Sequence, residues 1–137
     1  MEATETRDVS PAAGKRITPM RELVIDHDPL MRWAVAETLR ERGWQVSEGG
    51  DAGETKAALR NTHTPFDVVL MDYLLPDSDD LSLLASVRAL SPNSKVIIMT
   101  AFETPDMVRD ALDLGACSVL GKPFDMETVP ALVAQVH

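Results

Sequence analysis

The feature that most restricts how this chain can fold is a run of four apolar residues that ends in a single acid. The run extends from Val68 to Met71, and Asp72 follows it directly. A continuous apolar run of this length predicts a strand that is buried on both faces, as in a parallel sheet. Because open α/β sheets bind ligands at the carboxyl ends of their strands, Asp72 is a candidate functional residue. Considered by itself, Asp72 fits equally well as an ordinary acid in a turn.

Similar apolar runs alternate with helical patterns along the chain. The predicted strands are residues 23–25, 44–46, 68–71, 96–99 and 119–120. The predicted helices begin near Asp28-Pro29, Asp51, Leu81, Thr104-Pro105 and Asp125, of which Asp28, Asp51 and Asp125 are expected to be caps. Five strands alternating with five helices predict an α/β fold, a doubly wound parallel sheet with helices on both faces.

The helical periodicity also predicts which side chains face the core. The expected apolar stripe of the first helix, which should end near Arg42, consists of Met31, Ala34, Val35, Thr38 and Leu39. Trp33 lies off this stripe, so we expect it to be at least partly exposed. The residues expected to face inward from the fourth helix are Val108, Ala111 and Leu112.

Length and charge restrict the class of protein. A chain of 137 residues suits one domain, expected at residues 21–137 after a flexible tail of residues 1–20. The formal net charge is −9, and all of the excess lies in the domain because the tail holds three acids and three bases. This charge argues against nucleic acid or an anionic membrane surface as a direct partner.

Cysteine content and hydropathy point to the cytoplasm. The single cysteine, Cys117, excludes an intrachain disulfide and fits a reducing compartment. Cys117 precedes a short apolar run, so we expect a buried thiol. The sequence has no apolar run near the ~20 residues of a membrane span and no hydrophobic signal core.

Four of the predicted strands lead into polar residues of definite kinds. These residues are Asp26, Asp72, Thr100 and Lys122. Parallel strands bring their carboxyl ends to one edge, so carboxylates, a hydroxyl and an ammonium should converge there. Crowded carboxylates attract Mg²⁺, and Asp72 could then attack phosphorus to form an acyl phosphate. Thr100 and Lys122 could bind the phosphoryl oxygens.

The motifs around these residues resemble the receiver domain of bacterial two-component response regulators, the CheY-like family. The matching stretches are Leu-Val-Ile-Asp26 with Asp28-Pro29, Val-Val-Leu-Met-Asp72 with Pro76, Met99-Thr100-Ala101, and Lys122-Pro123-Phe124. The resemblance covers about residues 21–137. The motif sequences look most like those of receivers attached to transcriptional activators. It implies a flavodoxin-like sheet in the strand order 2-1-3-4-5.

The resemblance also implies roles for the residues at the strand ends. Asp72 would accept a phosphoryl group from a histidine kinase or a phosphotransfer protein in a Mg²⁺-dependent reaction. Asp26 would hold the metal through water, while Asp72 and the backbone carbonyl of Leu74 would bind it directly. Thr100 would bond to the phosphoryl group and shift with it, and Lys122 would pair with the phosphate. Such a domain catalyses only its own phosphorylation and dephosphorylation.

Three features depart from the family pattern. The second of two adjacent acids after the first strand is replaced by His27, at a position that contacts the metal. Because neutral imidazole lacks a carboxylate's charge, we expect weak Mg²⁺ binding. The loop after Pro76 lacks the usual glycines and is acidic at Asp77–Asp80, which should disfavour an added phosphate. Val119 replaces the family's switch aromatic, which predicts a muted conformational change.

Two other classes of function compete with the phosphorylatable switch. The first is a pseudo-receiver, a phosphorylation-independent interaction module, which His27 and Val119 favour. The second is a stand-alone enzyme. Phosphatases with an aspartyl nucleophile have a second Asp two residues later, where this chain has Leu74, and no Gly-x-Gly-x-x-Gly dinucleotide motif occurs.

The family further implies a possible homodimer or partner face on the fourth helix, fifth strand and fifth helix, which includes Arg109, Asp110 and Asp113.

Overall fold

The computed structural model describes residues 18–137, and most of the expected tail, residues 1–17, lies outside the described residues. The strands are β1 (Arg21–Ile25), β2 (Gln45–Gly49), β3 (Val68–Asp72), β4 (Lys95–Thr100) and β5 (Ser118–Gly121). The helices are α1 (Pro29–Arg40), α2 (Ala52–Asn61), α3 (Ser82–Leu90), α4 (Pro105–Asp113) and α5 (Thr128–Val136). Strands and helices therefore alternate, as the sequence pattern predicts.

The five strands form one parallel sheet in the order β2-β1-β3-β4-β5. This order confirms the predicted 2-1-3-4-5 arrangement. Ile25 pairs with Met71, and Asp72 pairs with Met99. The carboxyl ends of β1, β3 and β4 therefore meet at one edge, and this register brings the strand-end acids together.

The sheet separates two hydrophobic cores, and β3 contributes to both. Val69 and Met71 pack on the face covered by α2, α3 and α4. Val68 and Leu70 pack on the opposite face with α1 and α5. All five residues of β3 are buried, which explains its continuous apolar run. Each fully buried aliphatic side chain contributes about 1.5–3 kcal/mol relative to leaving it exposed.

The first helix starts as predicted and ends slightly earlier. Asp28 caps it by accepting hydrogen bonds from the backbone N–H groups of Leu30 (3.0 Å) and Met31 (3.5 Å). The chain leaves the helix through Gly43, whose φ of 81° favours glycine. Trp33 is 59% exposed, as expected. Ala36 is fully buried and extends the predicted stripe.

The inward face of α4 differs from the prediction. Met107 and Ala111 are buried, whereas Leu112 is 46% exposed. One residue corresponds to about 100° around a helix. The buried face of α4 therefore lies on the side of Val108 that carries Met107. Leu112 lies on the other, exposed side.

The start of α5 and the position of the cysteine also differ from prediction. Asp125 is not the cap, because α5 begins at Thr128 after a turn in which Thr128 N–H donates to the Asp125 carbonyl (2.9 Å). This turn lets Phe124 and Met126 pack against the core before the helix starts. Cys117 is exposed because it lies in the loop before β5, where Ala116 takes the buried position. Among residues 18–137, no helix has the length and apolar character needed to cross a membrane.

Candidate functional site

Asp26 is the buried anchor of the site. It follows β1 directly and is fully buried. Its Oδ1 accepts a hydrogen bond from the Asp28 N–H (3.0 Å), and its backbone N–H donates to the Gly49 carbonyl (3.1 Å). Arg32, one turn into α1, donates from Nη1 to the Asp26 carbonyl (2.8 Å). The Asp26 carboxylate is therefore held in a fixed position at the edge of the sheet.

Lys122 joins the acids of β1 and β3. Its Nζ donates to Asp26 Oδ2 (2.8 Å) and to Asp72 Oδ2 (3.3 Å). The Lys122 backbone N–H also donates to the Thr100 carbonyl (2.7 Å), which fixes the start of the side chain beside β4. The structure thus brings together an ammonium and two carboxylates that lie 96 and 50 residues apart from it in sequence.

Burial and charge shift the protonation of this cluster. Burial raises the pKa of Asp72, the nearby Asp26 carboxylate raises it further, and Lys122 opposes both effects. Burial alone would lower the pKa of Lys122, but its hydrogen bonds and charge interactions with Asp26 and Asp72 outweigh burial and raise it. Lys122 is therefore a firmly charged cation, and Asp72 is an acid whose ionised form is destabilised.

His27 lies at the open side of the cluster. Its side chain is 56% exposed, and its Nδ1 is 3.7 Å from Asp72 Oδ2. One ligand atom from each of Asp26, His27 and Asp72 lies within 4.8 Å of the other two. Neighbouring ligands on metal bonds of about 2.1 Å are about 3 Å apart, so a small closure would let the three bind one ion. The two carboxylates suit a hard divalent cation, whereas the imidazole departs from an all-oxygen ligand set.

A small open cavity of about 160 Å³ lies over Asp72. It is lined by His27, Asp72, Leu74, Ala101, Phe102 and Lys122. A single water needs about 10–15 Å³ of such space, so the cavity admits a group the size of a phosphoryl moiety with some of its hydration. Leu74, expected to offer its backbone carbonyl, belongs to this lining.

Thr100 and Val119 are not among the residues that line the cavity. Thr100 ends β4 beside Asp72, is 1% exposed, and accepts a hydrogen bond at Oγ1 from the Phe102 N–H (2.9 Å). Val119 pairs with Ile98 on the neighbouring strand and packs against a core. The predicted phosphoryl-binding hydroxyl is therefore next to the acceptor strand but bonded to the following loop.

Sequence reasoning did not single out Arg32 or Phe102 as site residues. Arg32 also pairs with Glu48 on β2, with Nε 3.3 Å from Oε1, and so connects α1 to the site. Phe102 is 62% exposed and lines the cavity. The available signals were weak, because a basic residue one turn into a helix and an aromatic residue in a loop are both common.

The acidic loop after β3 has a structural use that the sequence did not reveal. The Asp77 carboxylate accepts hydrogen bonds from the backbone N–H groups of Ala52 (2.7 Å) and Gly53 (3.0 Å) at the start of α2. Asp51 caps the same helix through the Glu54 N–H (2.7 Å). The negative charge of Asp77 is thus stabilised by backbone amides of α2. The expectation that the whole loop repels an added phosphate did not include this interaction.

The fold and the site together define a class of protein. A parallel sheet in this order, with two acids and a lysine at its carboxyl edge, is the arrangement of a receiver module. The family described as the response regulator receiver domain matches residues 23–134. The chain therefore belongs to the response regulator receiver domain family of two-component signalling.

Individual relatives agree with this assignment. The chain is 37% identical over 116 residues to the transcriptional regulatory protein PdtaR of Mycobacterium tuberculosis, covering 83% of this chain and 55% of PdtaR. A CheY-like receiver domain from Methanospirillum hungatei JF-1 is similar in structure, with a TM-score of 0.81 and 25% identity over 87% of this chain and 94% of that chain. The beryllofluoride-activated NtrC4 receiver domain dimer gives a TM-score of 0.76 and 25% identity over 84% and 93% of the respective chains. The chain spans about half the length of PdtaR.

Proposed function

We propose that this receiver domain is a phosphorylatable signalling switch in which Asp72 accepts a phosphoryl group from a histidine kinase or a histidine phosphotransfer protein. The observation that carries the proposal is the position of the Lys122 ammonium, 2.8 Å from Asp26 Oδ2 and 3.3 Å from Asp72 Oδ2. Lys122 places positive charge beside the acceptor oxygen, where the incoming group adds negative charge. Receiver domains interact with histidine kinases, which supports this class of donor.

The proposed step is a displacement at phosphorus. A carboxylate oxygen of Asp72 forms the new O–P bond, and the P–N bond of the donor phosphohistidine breaks. The electron pair of that bond stays on the donor imidazole, which then takes up a proton. Lys122 and the Thr100 hydroxyl would hold the phosphoryl oxygens, and a divalent cation bound by Asp26, Asp72 and the Leu74 carbonyl would offset the added charge.

Incubation with a small-molecule phosphodonor and Mg²⁺, followed by intact-mass measurement, tests the proposal. The wild-type protein should gain one phosphate, and Asp72→Asn should gain none. Asp79→Asn is the matched control, because Asp79 is an exposed acid in the loop after β3. It should be labelled like the wild type. Equal labelling of Asp72→Asn and the wild type would contradict the assignment.

The pseudo-receiver alternative receives less support. His27 and Val119 depart from the family pattern and favour it. The ion pairs of Lys122 with Asp26 and Asp72 oppose it. Burying such a charged cluster is energetically unfavourable, and clusters of this kind are typical of functional sites. The proposed switch is not a stand-alone enzyme, and it would act in the cytoplasm.

A further inference from the structure

We propose that the cluster of Asp26, His27 and Asp72 prefers transition-metal ions of the Ni²⁺, Co²⁺ and Zn²⁺ class over Mg²⁺. This inference rests on the proposed function, because it takes this cluster to be the cation site of the receiver domain. It concerns which ion the residues of this chain select.

Geometry makes His27 a ligand candidate. It is the residue next to Asp26, and its Nδ1 lies 3.7 Å from Asp72 Oδ2. One ring nitrogen of His27 and one oxygen from each acid form a group of ligand atoms that all lie within 4.8 Å of one another. Because the His27 side chain is 56% exposed, its ring can rotate toward an ion without disturbing the core.

The ligand chemistry favours ions that accept nitrogen. Mg²⁺ takes oxygen ligands in near-ideal octahedral geometry and gives up its waters reluctantly. Imidazole suits Zn²⁺, Cu²⁺ and Ni²⁺, and affinities of mixed nitrogen and oxygen sites rise from Mn²⁺ through Co²⁺ to Ni²⁺ and Cu²⁺. A histidine in place of a carboxylate therefore changes the ranking of ions as well as the overall affinity.

The charge of the cluster points the same way. Asp26 and Asp72 contribute two negative charges, and Lys122, in contact with both, contributes one positive charge. With a neutral His27, the cluster carries a formal charge of −1, whereas an acid at position 27 would make this charge −2. Mg²⁺ depends almost entirely on charge attraction and loses most from this difference. A transition-metal ion also gains from the imidazole nitrogen.

The test compares Ni²⁺ and Mg²⁺ affinities by calorimetry for the wild type, His27→Asp and His27→Ala. Any oxygen-containing site has some preference for Ni²⁺, so the informative quantity is the change in the Ni²⁺/Mg²⁺ affinity ratio. We expect His27→Asp to lower this ratio by about tenfold or more, with tighter Mg²⁺ and weaker Ni²⁺ binding. His27→Ala should weaken Ni²⁺ binding without strengthening Mg²⁺ binding.

Controls separate this site from other histidines. His63→Ala removes an exposed loop histidine beside Arg21, and His137→Ala removes a histidine 3.5 Å from Asp67. Both variants should keep the wild-type ratio. A readout independent of affinity is the NMR signal of the His27 ring nitrogens, which should move on addition of Zn²⁺. Thermal melts of the ion-free variants establish that each one folds.

The outcomes distinguish this inference from the proposed function. An unchanged ratio in His27→Asp, or His27 ring signals that do not move with Zn²⁺, would overturn the inference. If Asp72 is nevertheless phosphorylated with Mg²⁺, the proposed function stands. If the ratio falls as expected but no divalent ion supports labelling of Asp72, the metal preference stands and the proposed function fails.

Discussion

At the residue scale, the site is defined by two carboxylates that share one ammonium. Asp26 is fully buried, and the side chain of Asp72 is 8% exposed. Burial raises the pKa of Asp72, and the Asp26 carboxylate adds to this effect. Ionised Asp72 is therefore unfavourable for folding, and Lys122 compensates for only part of that cost. An acid that is unfavourable for folding at this position fits a chemical role for the Asp72 carboxylate.

This view predicts opposite stability effects from two substitutions. Asp72→Asn removes a buried charge beside Asp26 and should stabilise the ion-free protein by about 1 kcal/mol. Lys122→Met leaves both acids without their shared cation and should destabilise it by about 2 kcal/mol. Urea denaturation measures both changes. A loss of stability in Asp72→Asn as large as that in Lys122→Met would show that Asp72 is a net structural acid.

Sequence reasoning identified Asp26, Asp72 and Lys122 because topology alone brings them together. Parallel strands put their carboxyl ends at one edge, whatever the detailed packing. Arg32 and Phe102 could not be found in this way, since their contacts depend on how α1 rotates and how the loop after β4 folds back. The same limit applies to Leu112, whose exposure follows from a rotation of α4 that the apolar pattern does not determine.

At the element scale, Asp77 fastens the loop after β3 to the start of α2. Its carboxylate lies at the amino end of that helix and accepts the Ala52 and Gly53 N–H groups. The hydrogen bond from Ala52 is the largest influence and lowers the pKa of Asp77. Desolvation opposes this shift, and the hydrogen bond from Gly53 adds a smaller lowering. The loop that carries Leu74 is therefore held at its far end as well as at β3.

We predict that Asp77→Ala lowers the midpoint of urea denaturation at neutral pH, whereas Asp79→Ala leaves it nearly unchanged. Because the pKa of Asp77 is lowered in the folded state, its stabilisation is complete above the unfolded-state value of about 4. The stabilisation is lost as pH falls through the folded-state value. The difference between the wild type and Asp77→Ala should thus stay constant down to about pH 5 and shrink as the pH falls below about 4. A difference that is constant or grows on acidification would contradict this role.

The face of α4, β5 and α5 is the element-scale candidate for signal output. Val119 has one stiff side-chain torsion and packs beside Ile98, so it cannot swing as an aromatic ring would. We predict that beryllofluoride, a phosphoryl mimic, shifts amide NMR signals mainly in the loops after β3 and β4. Large shifts through Val119 and α5 would contradict the muted switch. In Asp72→Asn, which lacks the acceptor carboxylate, beryllofluoride should shift the same signals only slightly.

At the scale of the whole molecule, an exposed apolar patch lies on α1 beside the site. Leu30 is 78% exposed and Trp33 is 59% exposed. Aromatic residues are enriched at the centres of protein interfaces. The patch adjoins the segment of Asp26 and His27, so a phosphodonor protein that delivers its group to Asp72 would lie against it. We therefore propose α1 as the docking face for the donor.

This placement predicts that Trp33→Ala slows phosphoryl transfer from the cognate donor protein by about tenfold. Labelling by a small-molecule donor should be unchanged, because that donor needs no docking face. Leu114→Ala is a suitable control, since Leu114 is also exposed, at 44%, but follows α4. If Trp33→Ala reduces labelling by both donors equally, the substitution affects folding or the acceptor and not docking.

The whole-molecule architecture was predictable because the strands are short, the central ones are apolar, and each is followed by a helical pattern. The edge strand β2 is largely polar. The continuous run that ends in Asp72 required a sheet covered on both sides, and the two cores confirm it. The turn before α5 was not predictable from Asp125, since the packing of Phe124 and Met126 decides where that helix begins. Local capping signals gave way there to tertiary packing.

Locating the phosphoryl group on the chain tests directly whether Asp72 is the phosphoacceptor. After labelling with a small-molecule donor and Mg²⁺, borohydride reduces an aspartyl phosphate to homoserine, which tandem mass spectrometry can assign to one residue. We expect homoserine at position 72 and unchanged acids at Asp26 and Asp77–Asp80. Homoserine at another acid, with Asp72 intact, would contradict the central claim that Asp72 is the phosphoacceptor.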